Sequence, residues 1–531
     1  MQIKRIIAFL LSLVLLFSLS GCRRRNEDEE NKTPEVTEED ELVIYYSNTE
    51  LSAAMMALTE EYSKISGKKV SSKLSASNLM GDIETNKAAL YVVDTKSDLS
   101  KMHSGGFFMD LLNDIGFSNV ITGIPAGLQL NNTGLGSYGI PLMLEGYGYI
   151  FDMSMLRALF GEESAKSLSD DLKACSYTDF AGFVAAVDTY IAAPTDAKIT
   201  VNGNTYTFIK EKTDKAKNLT GVFSLNYDSA EAAKALLSTA FGTKFAGRYE
   251  VLSADETVLD SMSGIFSAFT EVLDLHSNHI SGPEGSISRG EEFSGGDYNY
   301  STAVDLFTRG YALFYPGGTS DAADFEKSAE GFGAELDIIP MKLPLSDEDI
   351  TVSGMSMEKL NRSIVIGSRY YLAVNPNADV KLTAMAKDFI SWLYEDEAGK
   401  NAYSAAFGAV PHSFGYFVNE ENSAPAPEER TAEENPVSED VPGESEEIQS
   451  DIPAPVPSHR IESSLMQSVA EYYAKGDWIP DMSTALPDGW GDEVLGEGLF
   501  DLFGMETWSE DDRRKFSETL IGGWKDRLNK G

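Results

Sequence analysis

Strands that alternate with helices along the chain predict an α/β fold built on a parallel, doubly wound sheet. Residues 42–46 (LVIYY) form a β-branched and aromatic run, and apolar residues then recur at helical spacing from Leu51 to Ile65. Gly67 ends that helix before a second strand, and residues 89–94 (ALYVVD) read as a buried strand that ends at an acid. This order of elements favours helices packed on both faces of one sheet.

The composition limits the classes of function. The chain has 531 residues, with 43 Lys and Arg against 84 Asp and Glu, which gives a formal charge of −41. This length allows two or three packed domains. A strong negative charge repels the phosphates of nucleic acids, so we expect no nucleic-acid partner. The sequence contains no HExxH, G-x-S-x-G or Walker glycine motif, and we expect no cofactor and no metal.

The N-terminus has the pattern of a secretory signal. A basic region at Lys4 and Arg5 precedes an apolar stretch that is too short to span a bilayer comfortably. Residues 19–22 (LSGC) match the bacterial lipobox, which implies removal of residues 1–21 and attachment of diacylglycerol and palmitate to Cys22. Such a lipid anchor holds a domain at a membrane without a spanning helix. We therefore expect a lipoprotein on the extracellular face of a cell membrane, and we favour a Gram-positive bacterium.

Four segments stand apart from the α/β pattern. Residues 22–41 are acidic without apolar periodicity and predict a tether, and the Pro/Glu-rich residues 419–457 predict a disordered insertion. Residues 199–208 alternate around an Asn-Gly pair, which predicts a hairpin that decorates the body. Apolar residues recur every four positions from Phe516 to Leu528 and predict a terminal amphipathic helix.

The order of several segments resembles the extracellular solute-binding proteins of ABC importers, specifically the maltose-type, carbohydrate-binding family (family 1). Residues 42–70 resemble the first βαβ unit of that family, and residues 89–111 resemble the second. Residues 138–152 (YGIPLMLEGYGYIFD) resemble the segment that crosses between lobes, and this segment is the most diagnostic. Residues 307–318 and 386–411 resemble a later strand and a helix pair. The collinear order of these segments behind a lipobox carries the resemblance.

The family's fold implies two α/β lobes with the ligand in the cleft between them. The N-terminal lobe would comprise residues 42–143 and about 345–396, and the C-terminal lobe residues 144–340 and about 397–531. The chain would cross between the lobes near residues 141–145, 339–344 and 395–397. Closure about such crossings is a hinge motion that traps a ligand.

Ligand contacts are expected where strands end, because open α/β sheets bind ligands at the carboxyl ends of their strands. Sugar hydroxyls donate and accept hydrogen bonds, and sugar C–H faces stack on aromatic rings, so a sugar cleft mixes charged, amide and aromatic side chains. The strand ends and the family resemblance together give nine candidate contacts: Asn48, Glu50, Asp94, Lys96, Ser97, Glu145, Tyr315, Gly318 and Thr319.

Some of these positions have a second interpretation. Glu145 can serve the hinge instead of the ligand, and Tyr147 or Tyr149 beyond it can pack a lobe. Many family members carry Trp where Thr319 stands here, which puts the usual stacking platform in doubt. The aromatic residues that could replace that platform are Tyr298, Tyr300, Tyr315 and Trp490, and Arg369 and Tyr370 are further candidate contacts.

The resemblance implies a binding protein and not an enzyme. The protein would capture a carbohydrate as a monomer and deliver it to the transmembrane subunits of an ABC permease. A binding protein of the same fold for a peptide or other solute, an anchored sensor and a surface-anchored glycan-acting enzyme stay open, because a carboxylate pair is defined in space and not in sequence. Cys175 and the pair His276 and His279 lack the partner residues that a nucleophile or a metal site needs.

Overall fold

The computed structural model describes residues 40–75, 78–95, 99–130, 136–226, 230–294, 297–329, 332, 335–407, 464–487 and 489–528. The expected signal peptide, the lipidation residue Cys22, all but the last two residues of the tether and the whole of the expected 419–457 insertion lie outside the described residues. Among the helices that are described, none is long and apolar enough to cross a membrane.

The described residues fold into strands and helices that alternate along much of the chain. The strands are β1 (Glu41–Tyr46), β2 (Lys69–Leu74), β3 (Leu90–Asp94), β4 (Ile140–Pro141), β5 (Glu145–Asp152), β6 (Lys198–Val201), β7 (Asn204–Thr207), β8 (Gly221–Phe223), β9 (Ile280–Ser281), β10 (Ser286–Ile287), β11 (Ala312–Gly318), β12 (Leu336–Ile339), β13 (Ile364–Gly367), β14 (Tyr370–Val374) and β15 (Trp478–Pro480). The α-helices are α1 (Ser52–Ser66), α2 (Leu79–Asn86), α3 (Leu99–Ser104), α4 (Ile115–Ile121), α5 (Met153–Phe160), α6 (Glu162–Ala174), α7 (Tyr177–Ala192), α8 (Ala230–Phe241), α9 (Arg248–Leu252), α10 (Glu256–Asp260), α11 (Ser263–Ser277), α12 (Glu291–Ser294), α13 (Tyr300–Thr308), α14 (Ala322–Ser328), α15 (Met357–Arg362), α16 (Val380–Glu395), α17 (Glu397–Phe407), α18 (Ser464–Lys475), α19 (Glu497–Phe503) and α20 (Glu510–Leu528). Short 3-10 turns lie at Thr49–Leu51, Leu111–Asn113, Ala126–Leu128, Ala216–Asn218, Thr319–Asp321, Asp347–Asp349 and Ser483–Ala485, and Trp490–Gly496 is a π-helix.

The first sheet has the strand order β2-β1-β3-β14-β4. Strand β1 runs parallel to β2 and β3, as the sequence predicts, and α1 between β1 and β2 ends at Gly67 in the left-handed region, at φ 70°. Strand β14 runs antiparallel to β3 and places Tyr370 opposite Asp94. The sheet is therefore mixed and not fully parallel, because a late segment of the chain inserts between β3 and β4. We call this sheet and its helices the first lobe.

The second sheet has the order β10-β9-β8-β11-β5-β13-β15, and β12 also pairs with β5. Strand β5 is antiparallel to β11, β12 and β13, so it forms the centre of this sheet. Its core is closed by α20, the predicted terminal helix, which buries Phe516, Leu520 and Trp524. We call this sheet and its helices the second lobe. The mixed α/β fold with two sheets confirms the predicted fold class.

The chain changes sheet between β4 and β5, at the first expected crossing. The return lies between Gly367 of β13 and Tyr370 of β14, which differs from the expected crossing near residues 339–344 and from the expected boundary near 345. The reason is that β12 and β13 both pair with β5 before the chain leaves the second sheet. Helix α17 packs against α1 and α16, so it covers the first lobe, whereas the expected boundary near residue 397 places it in the second.

The predicted hairpin is formed by β6 and β7, which pair antiparallel around Asn202 and Gly203. Both turn residues have positive φ, at 50° and 81°, which Asn and Gly tolerate better than other residues. This hairpin forms a separate two-stranded sheet and contributes no strand to either lobe.

Candidate binding site

Polar side chains from three neighbouring strands meet at one edge of the first lobe. Asn48 follows β1 and caps the turn at Thr49–Leu51, where its side chain accepts from the Glu50 N–H at 3.0 Å. Asp94 is the last residue of β3. Because β14 is antiparallel to β3, its first residues lie beside the end of β3, and this register brings Arg369 and Tyr370 to the same edge.

Asn48, Glu50, Asp94, Arg369 and Tyr370 form one connected group, which we call the first-lobe cluster. The Arg369 guanidinium donates to the Asp94 carboxylate at 3.2 Å and lies 3.5 Å from the Glu50 carboxylate. The Tyr370 hydroxyl donates to Glu50 at 3.1 Å and accepts from the Asn48 amide. Burial lowers the pKa of Arg369, but Asp94 and its other neighbours outweigh this effect and hold the pKa above its usual value. The group therefore offers fixed charges, amide and hydroxyl atoms side by side.

A second group lies where β5 begins, directly after the first crossing. Glu145 is buried, with 5% exposure, and accepts a hydrogen bond from the Tyr147 hydroxyl at 2.6 Å. Burial raises the pKa of Glu145 to about 7, against the opposing effects of the Tyr147 hydrogen bond and the Arg369 charge. The influence of Arg369 shows that Glu145 lies within electrostatic reach of the first-lobe cluster.

The end of β11 lies beside Glu145. Gly318 pairs with Tyr147, and a Cβ atom at Gly318 would come within 2.6 Å of the Tyr147 ring, so glycine allows the close approach. The Thr319 hydroxyl accepts from the Gly146 N–H at 3.1 Å. Asp321 accepts from the Tyr300 hydroxyl at 3.0 Å, and burial raises its pKa to about 6. The carboxyl groups of Glu145 and Asp321, both with raised pKa values, therefore lie on the second lobe's side of the site.

The structure sorts the expected site residues into groups. Asn48, Glu50 and Asp94 come together in the first-lobe cluster. Glu145, Gly318 and Thr319 lie together around β5 and β11. Lys96 and Ser97 lie outside the described residues.

The candidate aromatic platforms have different environments. Tyr315 is 5% exposed and packs against Phe307 and Phe325, at 5.6 and 5.0 Å between ring centres. Trp490 is fully buried beside Trp524, so it cannot stack on a ligand. The remaining candidates divide as follows: Tyr149 and Tyr298 are buried, whereas Tyr147 and Tyr300 are half-buried.

Cys175 and His276 have structural environments. Burial raises the pKa of the Cys175 thiol to about 11, so the nucleophilic thiolate is disfavoured. Burial lowers the pKa of His276 to about 3, and its Nε2 atom lies 2.8 Å from the Tyr149 hydroxyl. His279 Nδ1 lies 3.5 Å from Asp188.

Sequence reasoning missed a polar contact between the lobes. Arg248 of α9 is 5% exposed, and its guanidinium donates to the carbonyls of Asp481 at 3.0 Å and of Gln129 at 3.4 Å. The same group lies 5.6 Å from the centre of the Tyr371 ring. Gln129 and Tyr371 belong to the first lobe, so Arg248 links the lobes. No periodicity or motif around Arg248 signals this role.

No protein-family model and no curated protein matches the sequence. Solved structures do match. The apo form of RafE from Streptococcus pneumoniae is 12% identical with a TM-score of 0.55, and the match covers 93% of this chain and 99% of that chain. A family 1 extracellular solute-binding protein from Bifidobacterium longum subsp. infantis is 11% identical with a TM-score of 0.52, covering 92% and 99%. A cyclo/maltodextrin-binding protein complexed with maltotetraose is 12% identical with a TM-score of 0.52, covering 93% and 98%. The chain therefore has the two-lobed α/β fold of the family 1 extracellular solute-binding proteins.

Proposed function

We propose that the protein is a family 1 solute-binding protein that captures a carbohydrate between its lobes and delivers it to an ABC permease. The observation that carries this proposal is the first-lobe cluster, which gathers donors and acceptors at the carboxyl ends of β1 and β3. Solved structures with this fold include RafE with raffinose and the maltodextrin-binding protein with maltotetraose. The fold and the chemistry of the cluster thus support the same class of ligand.

The cluster suits hydroxyl groups because its atoms come in adjacent donor and acceptor pairs. A sugar hydroxyl can donate to the carboxylate of Glu50 or Asp94 while it accepts from the guanidinium of Arg369. The half-buried rings of Tyr147 and Tyr300 supply aromatic faces for sugar C–H groups in place of the expected Trp. Such mixed surroundings are typical of sites that orient a polar ligand with few contacts.

Binding alone is the proposed activity. A ligand that contacts both the first-lobe cluster and the β5–β11 side binds the closed form more tightly than the open form, so it shifts the protein toward closure. Closure would present a surface that the two transmembrane subunits of a permease recognise. In this proposal the protein acts as a monomer, and the lipid on Cys22 holds it at the extracellular face of the membrane.

A thermal-shift screen of the full mature chain tests the proposal. The screen uses monosaccharides and oligosaccharides, with amino acids and peptides as controls, and chromatography then examines every ligand that stabilises the protein. A ligand at one hundred times its Kd adds about 2.7 kcal/mol to the free energy of unfolding. We expect one class of sugar to raise the Tm and to be recovered intact. Recovery of a cleaved sugar would show an enzyme, and stabilisation by peptides alone would overturn the carbohydrate ligand.

A further inference from the structure

A small pocket lies in the second lobe where two strands end. Strands β8 and β11 are parallel neighbours, and residues 224–226 and 316–317 after or at their carboxyl ends line the pocket. Its volume is about 90 Å³. Pockets that enclose a whole ligand measure roughly 300 Å³ or more, so this one suits a substituent and not a complete sugar.

The pocket lies next to the site described above. Gly317 lines the pocket, and the adjacent Gly318 packs against Tyr147, whose hydroxyl bonds to Glu145. Asp321 lines the pocket as well. Because ligands in open α/β sheets sit at the carboxyl ends of strands, a sugar ring held in the cleft can direct one substituent into this pocket.

The walls of the pocket combine apolar surface with one carboxylate. Leu273, Leu499 and Phe503 contribute apolar surface. Asp321 contributes a carboxylate that accepts hydrogen bonds from the Tyr300 hydroxyl and the Gly318 N–H, at 3.0 and 3.3 Å. The Tyr315 hydroxyl also donates to this carboxylate. Its two oxygens offer about four acceptor positions, so capacity for one further donor is left.

The charged residues of the pocket limit the charge that the bound substituent can carry. Among the described residues that line it, none is Lys or Arg, and burial keeps His276 neutral by lowering its pKa to about 3. An anionic substituent would therefore meet Asp321 without a compensating cation. An ammonium group could pair with Asp321, but its three N–H donors would lose their hydration against largely apolar walls, which costs more than the burial of a neutral amide. A neutral group that carries both an N–H and a methyl group fits the pocket, because the N–H meets the carboxylate and the methyl group meets the apolar surface.

We propose that this pocket receives the acetamido group of an N-acetylated sugar. The N–H of the acetamido group donates to the Asp321 carboxylate, and its methyl group packs against Leu499 and Phe503. The inference rests on the proposed carbohydrate-binding function and adds the substituent that the second lobe selects.

Calorimetric titration of the full mature chain tests the inference with matched sugars. The probes are glucose and galactose, their 2-amino forms and their 2-acetamido forms. We expect one acetamido sugar to bind at least about tenfold more tightly than its amino and hydroxyl counterparts. Equal or tighter binding of a hydroxyl or amino sugar overturns the inference and leaves the proposed function intact. If none of the six binds while the broader screen finds another sugar, the inference alone fails, and if the screen finds no sugar, both fail.

Variants that fill the pocket provide a second readout. Ala233 of α8 is buried and lines the pocket, so Ala233→Met should remove the preference for the acetamido sugar over its hydroxyl counterpart. Ala57→Met at an exposed position of α1 is the matched control and should keep the preference. If Ala233→Met does not fold by circular dichroism, Leu499→Trp from α19 serves in its place. If a folded variant with a filled pocket still binds the acetamido sugar about tenfold more tightly than the hydroxyl sugar, the inference is wrong.

Discussion

Glu145 shows how burial controls a single carboxyl group at the junction of the lobes. It begins β5, and its carboxylate accepts from the Tyr147 hydroxyl. Burial raises its pKa from 4.5 to about 7, and the Asp321 and Asp481 charges act in the same direction, whereas Arg369 acts against them. The folded protein therefore binds this proton more tightly than the unfolded chain does. The resulting stability is complete below about pH 4.5 and is lost as the pH rises through about 7.

Glu145→Gln should consequently stabilise the protein at high pH relative to the wild type. The free energy of unfolding of the variant minus that of the wild type should grow by up to about 3 kcal/mol between pH 4.5 and pH 8. Urea unfolding at several pH values measures this difference. A difference that does not change with pH would contradict the assigned environment of Glu145.

Part of the arrangement of the site residues could be predicted from the sequence. The rule that ligands meet the carboxyl ends of strands selects Asn48 and Asp94 from the sequence, and the structure places them in one cluster. Arg369 and Tyr370 belong to the cluster because of the register between β14 and β3. This register brings Arg369 next to Asp94, although the two residues are 275 positions apart in the sequence. Sequence also could not separate Trp490, which lies in a core, from an aromatic residue that faces a cleft.

Strand β5 is the element on which the second lobe depends, because three strands pair with it. Gly148 lies where β5 passes β12, and a Cβ atom there would collide with the backbone carbonyl of Ile339. Backbone cannot swing aside as a flexible side chain can, so the close approach requires glycine.

Gly148→Ala should therefore lower the free energy of unfolding by about 1–3 kcal/mol. Gly182→Ala is the matched control, because Gly182 lies on the exposed face of α7 with open space around its Cα. Alanine favours a helix over glycine, so the control should gain roughly 0.5–1 kcal/mol. Thermal and urea unfolding measure both changes, and equal effects of the two substitutions would refute the β5–β12 packing.

Helix α20 closes the core of the second lobe. Trp524 is 1% exposed, and its ring centre lies 5.3 Å from that of Trp490 and 5.6 Å from that of Phe241. The four-residue apolar spacing predicts this helix from sequence alone, but the tryptophan pair that it completes depends on tertiary packing.

Trp524→Ala should lower the free energy of unfolding by about 3–5 kcal/mol, because it opens a cavity in this core. Phe500→Ala on α19 removes an aromatic ring that is 51% exposed and should change stability by less than about 0.5 kcal/mol. Urea denaturation midpoints give both values. A small effect at Trp524 would show that α20 does not seal the lobe.

At the scale of the molecule, the two sheets are joined by chain segments that limit how the lobes can move. One segment connects β4 to β5, and another connects β13 to β14. The first segment lies where the family resemblance implies a crossing, and the second follows β13 because β12 and β13 both pair with β5 before the chain leaves the second sheet. Tyr403 and Tyr394 also bond to carbonyls of the first crossing, so α16 and α17 hold its position.

Ligand binding should change the relative position of the lobes about these segments. A sugar that contacts both sides of the cleft favours the closed form, so it should reduce the radius of gyration in small-angle scattering. A peptide that does not raise the Tm serves as the control and should leave the scattering unchanged. An unchanged radius with saturating sugar would contradict binding between the lobes.

The most direct test of sugar capture at the first-lobe cluster is calorimetric titration of the sugar found in the screen against Arg369→Met. The substitution leaves the carboxylates of Glu50 and Asp94 without their cation, so we expect at least about tenfold weaker binding, or about 1.4 kcal/mol. Arg362→Met removes a more exposed arginine, which lies 3.6 Å from Glu358 on α15, and should bind as the wild type does. Equal affinity in all three proteins would show that the sugar binds elsewhere.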